Sequence, residues 1–215
     1  DGATAEPDSL CQLETDTNLT GNLCPWAGEM VGTTAFCARR QIPSHQIVIA
    51  QIDTGFMLDH PALQGRLLSD GIDLSGDGRA NAAYDTRQRG ATYWHATAVA
   101  SVLAGNTDEN VKILPYNVVR FGTDTCAASA VLAAMEDAVA KGARVLNMSL
   151  STSQNRAGFA AMMDKAAELG VAVCCSAGNA GEQISNRYPS ALPQAITVSA
   201  VTADKTVAGF SNYGD

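Results

Sequence analysis

The 215-residue sequence contains no cluster of Lys or Arg: 14 basic residues are scattered among 22 acidic ones, for a formal net charge of −8. That balance argues against nucleic acid or an anionic membrane as partner, since both are bound through concentrated positive charge. No run of eighteen apolar residues occurs and Asp1 opens a polar segment, so neither a membrane span nor a signal peptide is expected. A mature chain whose leader was removed reads this way. The six cysteines include no two C-x2-C pairs, which removes the usual zinc cage. Internal repeats and low-complexity tracts are missing too, so nothing competes with an ordinary packed core. With 46% hydrophobic residues, one domain is the simplest count.

Cys11, Cys24 and Cys37 fall in a Gly- and Thr-rich opening that also holds Pro7, Pro25 and Pro43. Residues 1–45 therefore read as an irregular N-terminal arm stabilised by at least one disulfide of open connectivity, which favours a secreted or periplasmic protein. Ile47 to Gly55 is different in kind, an apolar run ending in Asp53-Thr54-Gly55. Such a run suits a strand covered on both faces. Phe56 to Tyr93 turns polar and Gly-rich and reads as a long surface excursion. Trp94 to Gly105 is rich in small residues and reads as a buried helix with His95 in its first turn. Val111–Arg120, Ala143–Ser149, Val171–Ser176 and Ala195–Val201 read as strands, alternating with helices over Thr125–Lys141 and Gly158–Leu169. Cys174 and Cys175 would face opposite sides of their strand as buried thiols. Strands alternating with helices of about a dozen residues predict an α/β fold: a doubly wound, mostly parallel sheet with helices on both faces.

Three polar residues stand out by position. Asp53 ends one strand, His95 starts a helix, and Asn179 lies on the Gly-flanked turn Ser176–Gly181 after another strand. In open α/β sheets, catalytic groups collect at the carboxyl ends of the strands. Taken singly, an Asp-Thr-Gly caps turns, a histidine satisfies core contacts, and an asparagine tolerates left-handed turn geometry.

Together and in this order, the elements resemble the subtilisin-like serine proteases. The family's His-Gly-Thr-His-Val-Ala-Gly motif is matched by His95-Ala96-Thr97-Ala98-Val99-Ala100, its Asp motif by Asp53-Thr54-Gly55, and its oxyanion turn by Ala177-Gly178-Asn179. Tyr188-Pro189-Ser190, Ile196 to Val201 and Phe210-Ser211-Asn212-Tyr213-Gly214 match later family segments. The resemblance implies a peptide bond as target, Asp53 orienting His95, His95 as general base, and Asn179 donating to the oxyanion. It implies that Ser149, Leu150 and Ser151 pair with an extended substrate and that Ala177 and Gly178 wall the pocket beside the scissile bond. No cofactor is implied. Ala62 stands where many members carry a calcium-binding Asp, so no calcium or other metal is expected there.

The family's Gly-Thr-Ser-Met-Ala segment, which bears the nucleophile, has no match in residues 1–215. Ser149, Ser176 and Ser211 sit at matched positions with other roles. The expectation is therefore a catalytic portion over residues 46–215, with the fold incomplete until a C-terminal segment or partner chain supplies both helix and serine. The competing reading is an inactive pseudoprotease serving as a binding or regulatory subunit. Trp94 and Ala96 flank His95 where small residues or Gly are usual, which need not forbid the Asp53–His95 pair but is expected to alter solvent access and ring orientation there.

Overall fold

From Val48 to Asp53 every residue of the Ile47–Asp53 stretch is buried, which accounts for its apolar character on both faces. The computed structural model describes residues 10–13, 25–32, 35–36, 44–84, 94–154 and 156–214. In chain order its elements are β1 (Leu10–Leu13), α1 (Pro25–Met30), β2 (Ile47–Asp53), a 3-10 turn (Pro61–Leu63), β3 (Ile72–Asp73) and α2 (His95–Gly105). There follow β4 (Val111–Asn117), β5 (Thr125–Ala127), α3 (Ala128–Ala140), β6 (Val145–Met148), β7 (Leu150–Ser151), α4 (Arg156–Glu168), β8 (Ala172–Ser176) and β9 (Ala195–Val198).

Six strands form one parallel sheet in the order β3-β4-β2-β6-β8-β9. Alternation along β2 sends Val48, Ala50 and Ile52 into the larger core, where α3 and α4 contribute Val131, Met135, Phe159 and Met163. The opposite face carries Ile49, Gln51 and Asp53, and α2 packs on this side. Ala96, Ala100 and Ala104, spaced by four, present a smooth helix stripe to Phe56, Leu63, Ala82 and Ile113. The sheet thus has helices on both faces, as expected.

Two elements differ from the reading of the sequence. Thr125–Ala127 is not the first turn of a helix but strand β5, because β1 pairs with it from more than a hundred residues away: Leu10↔Ala127, Cys11↔Cys126, Gln12↔Thr125. The same β1 pairs antiparallel with β7 (Gln12↔Ser151, Leu13↔Leu150), giving a separate sheet β5-β1-β7. Phe56 to Tyr93 is likewise more than a surface excursion. Phe56, Leu63 and Ala82 are buried and build the smaller core against α2; residues 85–93 of that stretch lie outside the described residues.

Within the arm, β1 and α1 are regular elements. Cys24 and Cys37, and with them the disulfide expectation, lie outside the described residues. Among the described residues no helix is long and apolar enough to cross a membrane.

Candidate active site

β2 ends by delivering Asp53, fully buried, to the carboxyl edge of the sheet. Its Oδ1 accepts the Thr54 backbone N–H at 2.6 Å and lies 2.6 Å from Nδ1 of His95. A carboxylate only accepts, so Nδ1 carries the proton and the basic nitrogen of the neutral ring is Nε2. The two elements are pinned to each other beside this contact. Thr54 Oγ1 accepts the Ala96 N–H, one of the N–H groups a helix start leaves unpaired, at 3.0 Å. Thr97 Oγ1 in return accepts the Met57 N–H at 2.9 Å. Gly55 is required by packing: a Cβ there would lie 2.5 Å from Tyr84 Cα.

The methyl of Ala96 does not disturb the pair. Ala96 is fully buried in the smaller core, while His95, only 4% exposed, keeps its contact with Asp53.

Gln51, fully buried on the same face of β2 two residues earlier, donates from Nε2 to Asp53 Oδ2 at 3.2 Å and to the Ala96 carbonyl at 2.8 Å. The reading of the sequence missed this residue, although a lone amide in an apolar strand, in phase with Asp53, was a legible signal.

The Ala177–Gly181 turn leaves β8 with Gly178 at φ 101°, backbone geometry that favours glycine. Asn212 holds it from behind. Its Oδ1 accepts the N–H groups of Ala180 (2.9 Å) and Glu182 (3.1 Å), and its Nδ2 donates to the Ala177 carbonyl (2.9 Å). No local pattern betrays that role, because the contacts span 30 to 35 positions. A cavity of about 350 Å³ opens here, lined by Asn147, Ser149, Ala177, Gly178, Asn179 and Val198 among others.

Ser149, Ala177, Gly178 and Asn179 are thereby brought together around one space. Leu150 and Ser151 are buried, and the Leu150 side chain belongs to the larger core. What Leu150 and Ser151 offer a ligand is backbone, and in this structure β1 pairs with it. Cys174 also lines the cavity. Burial pushes its thiol above the usual range and pushes that of Cys175, beside it, up to about 12. Both are thiols at neutral pH, which disqualifies them as nucleophiles.

Residues 44–215 match the family model described as the subtilase family. The chain belongs to the subtilase family. Halolysin of Haloferax mediterranei is 32% identical over 182 residues, covering 80% of this subtilase chain and 34% of halolysin. Subtilisin-like protease 2 of Trichophyton equinum is 30% identical over 173 residues, covering 76% of this chain and 38% of that protein. The chain thus spans about a third of the length of the curated relatives it matches. Among solved structures, a lanthipeptide protease superimposes with a TM-score of 0.70 at 25% identity, covering 88% of this subtilase and 59% of that chain. A cold-adapted subtilisin-like serine proteinase gives 0.59 at 25% identity, covering 82% and 64%.

Proposed function

We propose that residues 46–215 are the acid, base and oxyanion portion of an exported serine endopeptidase that hydrolyses peptide bonds by an Asp-His-Ser triad. The serine comes from a segment or partner chain outside residues 1–215. The observation that carries this reading is the 2.6 Å contact between buried Asp53 and His95 at the carboxyl edge of the sheet. Asp53 fixes the tautomer and stabilises the imidazolium that forms during turnover. Nε2 of His95 takes the proton of the serine hydroxyl as that oxygen attacks the peptide carbonyl, then returns it to the leaving amine. Asn179 donates to the oxyanion, an interaction worth about 3 kcal/mol in sites of this kind.

On the α2 side of the sheet, the part over β8 and β9 that no described helix covers supports an added element. Ile196 and Val198 on β9 are 53% and 59% exposed. On the neighbouring strands, Asn147 Nδ2 and Ser176 Oγ are buried with no hydrogen-bond partner among the described residues. Parallel sheets normally bury both faces. A helix bearing the serine, with polar groups to meet those two atoms, fits this face.

Substrate binding by strand addition is supported by the β5-β1-β7 sheet. β1 already shows that the outer edge of β7 accepts an extended antiparallel strand, and a substrate peptide using that edge takes β1's place. Labelling the intact assembly with a fluorophosphonate tests the function. The expected result is one modified serine, located by mass spectrometry outside residues 1–215 and lost in His95→Ala; an unlabelled assembly would favour a binding or regulatory subunit instead.

A further inference from the structure

We infer that Gln51 is a positioning residue for the Asp53–His95 pair, holding the second oxygen of the carboxylate so that the first stays aimed at the imidazole. The inference rests on the reading of Asp53 and His95 as the proton-transfer pair.

The donors divide cleanly between the two oxygens. Oδ1 takes the Thr54 N–H and His95 Nδ1–H; Oδ2 takes the Gln51 amide. Without that amide the terminal torsion of the carboxylate is soft, and no other hydrogen bond to Oδ2 among the described residues would resist its rotation. The orientation of the amide follows from chemistry. Both groups facing its nitrogen, the Asp53 carboxylate and the Ala96 carbonyl, only accept, so a flipped amide would set oxygen against oxygen at both contacts. Ala96 directly follows His95, so one NH2 group grips the carboxylate on β2 and the backbone next to the imidazole on α2.

Gln51 is retained at a cost. Its Oε1 is buried with no hydrogen-bond partner among the described residues, and Asn147, its register partner on β6, leaves its Nδ2 equally unpartnered. An apolar residue, like those on either side of it, would avoid that penalty. What Gln51 contributes is therefore the pair of bonds made by its nitrogen.

The bond to Oδ2 also has an electrostatic sign. A carboxylate turned away from Nδ1 stabilises the imidazolium less, so losing the donor that holds its aim lowers the His95 pKa, whereas a donor that merely shared charge would raise it on removal. The test is the His95 imidazole titration, followed by NMR in the intact assembly, which requires no turnover. Gln51→Met preserves bulk and removes the donor; the His95 pKa should fall by about half a unit to one unit, a roughly three- to tenfold weaker hold on the proton. Gln51→Glu restores the donor only while its carboxyl is protonated. Its His95 should match the wild type at low pH and depart from it as the shared proton leaves, through a titration step the wild type lacks. That second variant decides the matter if the first does not fold. A His95 pKa unchanged or raised in folded Gln51→Met, or a Gln51→Glu curve without the added step, would overturn the inference and leave Gln51 a structural tie. Failure of serine labelling with these shifts intact would sink the proposed function and not the role of Gln51.

Discussion

Asn212 Nδ2 donates to the carbonyl of Ala177 at 2.9 Å, while Asn212 Oδ1 holds the N–H groups of Ala180 and Glu182. One side chain, 1% exposed, thus sets the turn that presents Asn179. Asn212→Ala removes three hydrogen bonds, each worth about 1 kcal/mol net. The melting temperature should drop by roughly 6–12 °C, and peptide hydrolysis by the assembly should lose about tenfold in kcat. A variant with normal kcat would show that the turn holds its shape unaided.

Gly55 is the close-approach point between the Asp53 loop and Tyr84. A Cβ 2.5 Å from Tyr84 Cα meets backbone rather than a movable side-chain end. Gly55→Ala should destabilise the chain by about 1–3 kcal/mol in urea unfolding. The denaturation midpoint of Gly209→Ala serves as control, since a Cβ at Gly209 meets nothing within 4 Å.

On the proposed strand addition, β1 and a substrate peptide compete for the edge of β7, so β1 must be released before peptide enters. A chain starting at Glu14, in the assembly, should show a KM about tenfold lower with kcat unchanged. Equal KM values would mean that substrate binds elsewhere.

The helix-packed core gives an alkaline limit. Burial, then the hydrogen bond to Asp137 and its charge, hold the Tyr116 phenol well above its ordinary value of 10. The group is raised in the folded state, so its contribution is fully present below the unfolded value and is lost as pH rises beyond about 10. Melting temperatures measured from pH 8 to 11 should fall steeply in the wild type and less in Tyr116→Phe. Parallel curves would assign alkaline unfolding to other groups.

The parallel sheet was legible because its strands are short apolar runs and its helices carry small-residue or Ala/Met stripes of helical period. Asp53, His95 and Asn179 were legible because each interrupts such a pattern at a strand or helix end. β5 was not: Thr125–Ala127 is extended only because β1 lies beside it, and no local propensity reports a partner more than a hundred residues away. Phe56 and Leu63 were hidden in a polar, Gly-rich stretch whose burial depends on α2. Gln51 was visible yet passed over, since one amide in a strand of isoleucine and valine signals something only once Asp53 is known to need a second donor.

The central claim is that Asp53 works through His95. In the proposed assembly, Asp53→Asn keeps the shape but offers an amide that stabilises the wrong imidazole tautomer. Measured as kcat for peptide hydrolysis, the account predicts a fall of about 10⁴-fold with KM little changed. A kcat within tenfold of the wild type would contradict it.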